Sequence, residues 1–397
     1  MADERGPRRG YRVATFNVEN LLHPGVHFAG RGDEAPYTPE LFADKVRWIA
    51  SLLDEGRVDL VGFQELFSAT ALREVVAASR RLRGASVLTP GITGGENLHT
   101  RADGGVEASG PHVGLVTRFP VLSCDSVEEF PPGPGVALHL GRAAGDGAVT
   151  RFQRPVLRAR VVLPGEVPAT VLVAHLKSKR PVHLTGEDVE DPVVQAAGRV
   201  RALLVRAAEA VALRALVVAL LDGGRAGPGA GPAGGPVILL GDLNDDLAAV
   251  TTRLVAGEEP PHHLPAERRE HVAGALLHSA HDLQELRNYR DVSYTHVHQG
   301  RFQLLDHVFV SRHFVAPFPG RVGEVVSTRV FNDHLVDARW AVDEARPAVE
   351  VGGELRRLPS ARADHGMAVT EILVRGDGAG GADEPGGAGG RGSAAGP

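Results

Sequence analysis

One cysteine, Cys124, stands in a chain of 397 residues, so no disulfide can close within it. Tryptophan is almost as scarce: Trp48 and Trp340 are the only two, and aromatic residues make up 5% of the chain. Lipid-inserting surfaces are built from exposed aromatic and aliphatic side chains, so this scarcity speaks against a lipid-borne substrate. No run of 18 apolar residues occurs, and no membrane-spanning helix is expected. The start, Met1-Ala-Asp-Glu-Arg-Gly-Pro-Arg-Arg9, has charge but lacks the apolar stretch of a secretory leader. With a single cysteine, a cytoplasmic location is the expectation, and secretion through a removed leader is left open. A basic field is missing too. The net charge is −6, and only three of the 43 basic residues are lysine, so a protein that coats duplex DNA is not indicated. Residues 222–235, rich in Gly and Pro, contain no Gly-Lys-Ser/Thr, which excludes a phosphate-cradling loop of that kind there.

What is present is a globular pattern. Hydrophobic residues make up 43% of the chain, enough for a packed core. Short apolar runs at 11–16, 58–63, 113–117, 157–163, 170–174, 237–240, 303–310 and 367–374 read as strands, and apolar spacing near i, i+3, i+4 predicts helices at about 39–55, 68–83, 192–221 and 264–286. Strands and helices interleave without a composition break or an internal repeat. One domain over residues 1–375 is therefore expected, with a flexible loop at 222–235 and a disordered Gly/Ala-rich tail at 376–397.

The strands end in polar residues. Asn17 follows the first, Gln64-Glu65 the second, His175 the run 170–174, and Asp242 with Asn244 the run Val237-Ile-Leu-Leu240. Asp306 and Asp364-His365 precede strands instead. Alone, Asp242-Leu-Asn-Asp245 reads equally as a turn leading into a helix cap, or as a carboxylate and an amide facing one way at a strand end. The set is another matter. In antiparallel neighbours the start of one strand lies beside the end of the next, so all of these groups can converge on one rim of a mixed sheet.

Thr15-Phe-Asn-Val-Glu-Asn-Leu21, Gln64-Glu65, His175-Leu-Lys-Ser178, Gly241-Asp-Leu-Asn244, Ser293-Tyr-Thr295, Leu305-Asp-His-Val-Phe-Val-Ser311 and Ala363-Asp-His365 resemble, in order, the motifs of the endonuclease/exonuclease/phosphatase superfamily. The resemblance implies a four-layer α/β sandwich in which two packed, mainly antiparallel mixed sheets are flanked by helices. It also implies magnesium-dependent hydrolysis of phosphate esters, with manganese as a substitute. By the same resemblance Glu65 and Asn17 are metal ligands, with Asp364 or Glu19 adding a carboxylate directly or through water. Asp242 matches the residue that orients or deprotonates the attacking water, and Asn244 the one that donates to a phosphate oxygen. His365 matches the histidine on the scissile phosphate and Asp306 its acidic partner, while His175 matches a second histidine for phosphate contact or leaving-group protonation. Ala363 departs from the pattern, which has Ser there, so one hydroxyl contact is lost.

Asn332-Asp-His334 repeats the Asp-His pair but precedes no clear terminal strand, so Asp364-His365 is preferred. His278 and His281 fall within the predicted helix at 264–286 and read as partly exposed, His262-His263 as loop, and Arg199 and Arg206 as surface of the long helix. Lys177 and Lys179 beside His175 read as phosphate contacts or as a solvated pair. Arg154, Arg158 and Arg160, alternating with Arg151 in the same run, would line a phosphate groove or face solvent. These basic groups make a nucleic-acid phosphodiesterase the first expectation, with Lys177 and Arg154 on the substrate. A phosphatase or phosphodiesterase acting on a small soluble or lipid-borne ester, such as an inositol phosphate, is the second. A non-catalytic binding module is the third. No protein partner is indicated.

Overall fold

The computed structural model describes residues 10–28, 34–92, 98–100, 106–132, 149–222, 234–288, 293–316, 318–335, 348–351 and 353–374. Most of the Gly/Pro segment and the whole tail, for which flexibility was expected, lie outside these residues. The chain begins β1 (Gly10–Leu21), α1 (Pro39–Glu55), β2 (Leu60–Leu66), α2 (Ala69–Ala78), β3 (Ser86–Leu88) and the hairpin of β4 (Leu98–Thr100) and β5 (Val106–Ala108). It continues with β6 (His112–Thr117), β7 (Val121–Glu129), β8 (Arg151–Leu163), β9 (Val167–His175), α3 (Pro192–Asp222), β10 (Val237–Asp242), α4 (Val250–Ala256), α5 (Ala266–Gly274), β11 (Leu277–Ser279) and α6 (Ala280–Glu285). The hairpin of β12 (His296–His298) and β13 (Arg301–Gln303), then β14 (Asp306–Ser311), β15 (Gly323–Phe331), the hairpin of β16 (Ala348–Val351) and β17 (Glu354–Arg357), and β18 (Met367–Val374) complete it.

Two six-stranded mixed sheets, β15-β18-β1-β2-β6-β3 and β11-β14-β10-β9-β8-β7, pack face to face. Alternation along the strands decides which side chain goes where. Tyr11 and Val13 face the second sheet, whereas Ala14, Phe16 and Val18 face the helices α1 and α2. In β10, Ile238 and Leu240 face the first sheet while Val237 and Leu239 pack under α3. A strand covered on both sides must be apolar throughout, which is why Val237–Leu240 shows no alternation. The result is four layers: α1 and α2, sheet, sheet, α3. Gly62 faces the second sheet at close range, since a Cβ there would lie 3.0 Å from Leu240 and Val173. Gly241 pairs with Ala174 and leaves no room for any side chain, because a Cβ would meet the Ala174 carbonyl oxygen at 2.4 Å.

Two expected elements are divided. The helix expected over 264–286 is α5, β11 and α6, because Leu277–Ser279 joins the edge of the second sheet against β14 and Ser279 then caps α6 through the N–H groups of His281 and Asp282. The strand expected over 303–310 breaks at Leu304-Leu305, where Thr295 Oγ1 accepts the N–H groups of both Leu305 and Asp306. The unexpected β7 and β15 are edge strands, whose half-exposed polar residues hide the apolar pattern of a buried strand. Among the described residues no helix is long and apolar enough to cross a membrane.

Candidate active site

Strand direction assembles the rim. In the second sheet β9 and β10 run parallel and β14 antiparallel, so Asp242 pairs with His175 on one side and with Asp306 on the other. Residues directly opposite on neighbouring strands project from the same face, which puts an imidazole and two carboxyl groups in one row. In the first sheet β1 and β2 run parallel and β18 antiparallel, so Asn17, where the regular pairing of β1 with β2 breaks, and Glu65 near the end of β2 lie at the same end of the sheet as His365 at the approach to β18.

The two half-rims meet on one atom. Asp242 Oδ2 accepts a hydrogen bond from Asn17 Nδ2 at 3.1 Å, lies 3.5 Å from His175 Nε2 and 4.0 Å from His365 Nε2. Asn17 Nδ2 also donates to Glu65 Oε1 at 3.2 Å, and His365 Nδ1 donates to Asp306 Oδ2 at 2.7 Å. Short loops fix these groups. Glu19 N–H donates to Asn17 Oδ1, Asn20 N–H to Glu65 Oε2 and Asn244 N–H to Asp242 Oδ1. Glu19, Asn20, Glu65 and Asn244 take positive φ, between 49° and 62°, a conformation that costs about 1–3 kcal/mol at each non-glycine residue. That four such residues gather at one rim marks it as a place the surrounding fold holds by force.

Burial sets the charges. It raises the Asp242 carboxyl above its ordinary range, with Asp306 adding repulsion and His365 and the bonds from Asn244 and Asn17 opposing the rise. Burial alone would lower His365, but the Asp306 carboxylate outweighs it, so this imidazole is held well above 6.5 and is cationic at neutral pH. Burial drives His175 far the other way, helped by Arg154, His365 and Lys177. His175 is therefore a neutral imidazole, and the two histidines have different work.

A divalent cation fits this donor set. Asp306 Oδ1 is buried without a hydrogen-bond partner among the described residues, and Asp242 and Asp306 repel one another across adjacent strands. The groups Asp242–Asp306–His365 and His296–Asp364–His365 each bring ligand-capable atoms within 4.8 Å, but a cationic His365 has no lone pair to give, so the oxygens of the adjoining Glu65 and Asn17 are the donors that suit the ion. Oxygen-rich carboxyl and amide groups suit hard ions such as magnesium or manganese.

Glu19 is buried and lines a cavity with Asn20, Tyr37 and His27, while Asp364 is exposed beside His365. Asn244 stands next to Asp242, but its side-chain N–H donates to Leu176 O at 3.0 Å. The two candidates for substrate charge turn inward: Lys177 Nζ donates to Ser178 O, Ser178 Oγ and Arg180 O, and Arg154 to Leu176 O. Burial and the nearby Arg154 pull the Lys177 ammonium down to about 8. Lys179 pairs with Asp245 at 3.3 Å.

Arg206 and His281 depart from the sequence expectation. Arg206 is 4% exposed, bonding Asp245 and Lys177 O, because the face of α3 that carries it packs on the loops after β9 and β10. His281 is 2% exposed rather than partly exposed, since α6 starts against β14. The arginine run of β8 is not a free groove: Arg158 pairs with Asp125 and Arg151 with Glu129, both on the neighbouring β7. Asn332-Asp-His334 stays outside the rim, with His334 Nε2 donating to the His365 carbonyl at 2.9 Å. Two participants were not foreseen. His296, just past Thr295, packs its ring 4.9 Å from that of His365, and Glu209 on α3 is wholly buried. A glutamate three residues from an arginine within an apolar helix was the available signal for the latter.

The family model described as Endonuclease/Exonuclease/phosphatase family matches residues 14–328. No curated protein sequence matches the chain. Among solved structures, an endonuclease/exonuclease/phosphatase family protein from Bacteroides thetaiotaomicron shares 15% identity over 93% of this chain and 96% of its own, with a TM-score of 0.48. The mannosyl-6-phosphatase Bt3783 of the same organism shares 15% over 91% and 99%, with a TM-score of 0.46. A humanized TDP2 of D. rerio shares 14% over 92% and 99%, with a TM-score of 0.47.

Proposed function

Because the chain belongs to the endonuclease/exonuclease/phosphatase family, a family of phosphoester hydrolases, we propose that its rim hydrolyses a phosphate ester with a water that Asp242 orients and deprotonates. The observation that carries this reading is the convergence of Asn17, His175 and His365 on the single oxygen Asp242 Oδ2. Burial raises the affinity of this carboxyl for a proton, which is what a base acting near neutral pH requires. His365, held cationic and oriented by Asp306, presents its Nε2 hydrogen to a phosphate oxygen as negative charge grows there. Neutral His175 donates a hydrogen bond without adding charge. Asn244 keeps a second amide hydrogen beyond its bond to Leu176, available to the phosphate.

Glu65 and Asn17 would hold the magnesium or manganese ion, with Asp364 or Glu19 contributing a carboxylate directly or through water. When bound, such an ion neutralises phosphate oxygens and polarises the ester. Asn17 Oδ1 accepts one N–H and retains a lone pair for this purpose.

The first substrate reading is a nucleic-acid phosphodiester, supported by the basic loop His175–Arg180. The pairing of Arg158 and Arg151 with acids on β7 removes a track for a polyanion, and this favours a second reading, a small soluble phosphate ester. Incubation with magnesium and plasmid, single-stranded DNA, RNA, abasic duplex, inositol phosphates or bis-p-nitrophenyl phosphate, each repeated with a chelator, separates them. Chelator-sensitive turnover of at least one ester is expected. Turnover of nucleic acids alone selects the first reading and of small esters alone the second. Absence of both hydrolysis and magnesium binding would overturn the proposal in favour of a binding module.

A further inference from the structure

The long helix α3 packs its apolar stripe, from Ala210 to Leu221, on the outer face of the second sheet. Just before that stripe, near the middle of the helix, stand two charged residues three apart, Arg206 at 4% and Glu209 at 0% exposure. Burying charge away from water is unfavourable unless every lone pair and proton finds a partner. Here the partners are backbone groups and one carboxylate of the two loops that form the rim, and one N–H of β8. Glu209 Oε2 accepts the Lys177 N–H at 2.7 Å and Oε1 accepts the Gln153 N–H at 2.9 Å. Arg206 donates from Nη1 to the Lys177 carbonyl at 3.1 Å and from Nε to Asp245 Oδ2 at 3.2 Å.

The pair thus holds residue 177 by both its N–H and its C=O, two positions beyond His175. Through Asp245 it also holds the loop three positions beyond Asp242. The two loops are stitched together on the same side: Leu176 N–H donates to the Asp242 carbonyl at 3.1 Å, and Leu176 O accepts from Asn244 Nδ2 at 3.0 Å and Arg154 Nη1 at 3.2 Å. Asp245 O in turn accepts from His307 Nε2 at 2.9 Å, next to Asp306. Every chain segment that supplies a polar group to the second sheet's half of the rim is therefore tied, directly or through one bond, to this helix.

We propose that Arg206 and Glu209 are positioning residues that keep the side chains of His175 and Asp242, set opposite one another by the β9–β10 register, in working geometry. They touch neither substrate nor reacting atoms and act by fixing the loops 175–178 and 242–246. The inference rests on the reading of the rim as a hydrolytic site, and its test has one arm that needs no substrate.

Glu209→Gln keeps the shape but turns one accepting oxygen into a donor facing a backbone N–H. Arg206→Ala removes the clamp, and added guanidinium ion can refill the space. In the full chain, both variants are expected to raise hydrogen exchange of the Lys177 amide at least tenfold. On the ester turned over best, kcat should fall roughly 10–100-fold with KM within threefold, since displaced catalytic groups weaken the transition state more than ground-state binding. Guanidinium should restore part of the rate to Arg206→Ala and none to Glu209→Gln. Unchanged exchange, unchanged kcat, or a rate that falls only in proportion to the folded fraction and ignores guanidinium overturns the proposal. Should the wild type turn over no ester, the reading of the site fails, while the exchange arm still decides whether the clamp exists.

Discussion

Asp242→Asn is expected to lower kcat by roughly 10³-fold while leaving the protein folded. General-base assistance alone contributes about 10²–10⁴-fold. The amide is nearly isosteric with the carboxyl, so only the local contacts with Asn17, the Asn244 N–H, His175 and His365 have to readjust. Stability should hold or rise. Asp242 is buried beside Asp306, and its carboxyl is raised by burial and by that repulsion, so the ionised form is the unfavourable one in the folded state. Removing the charge relieves both effects. Steady-state kinetics on the best ester, with thermal melting in parallel, checks the pair of outcomes. Turnover within tenfold of the wild type would assign the base to another residue.

The second large effect concerns the histidine of the first sheet. His365→Gln should lower kcat about 10²–10³-fold, because a neutral amide replaces a cation aimed at the phosphate. It should also destabilise the protein by about 3 kcal/mol, since Asp306, 0% exposed, loses its charged partner, and breaking one side of a buried pair leaves an uncompensated charge. Asp306→Asn in the same background should recover much of that stability without recovering the rate. Urea denaturation and kinetics of the single and double variants measure this, and additive stability losses would show that the two side chains are not a unit.

Much of this rim was legible in the chain because strand ends are local features. Asn17, Glu65, His175, Asp242, Asp306 and His365 each adjoin an apolar run, and strand direction does the rest. The layered architecture followed from the same alternation of strands and helices. What could not be read was how charges are shared between elements. The arginines of β8 read equally as a phosphate track or a solvated face because their partners lie on β7, an edge strand with too few buried positions to announce itself. Lys177 looked free because its acceptors are carbonyls of its own loop, which depend on a turn that composition does not specify. Arg206 looked like surface because helical periodicity shows which residues are apolar, not that a charged residue beneath them has backbone partners to receive it. His281 was misplaced along with its helix, once three residues chose an edge of the sheet over helical continuity.

The proposed hydrolysis requires a divalent cation bound at the meeting of the two sheets. Its most direct test is the magnesium dependence of turnover in the wild type and in Glu65→Gln. Saturable dependence is expected, abolished by chelation, with the concentration for half-maximal rate at least tenfold higher in the variant. A rate that is indifferent to chelator, or a midpoint that Glu65→Gln leaves in place, would contradict it.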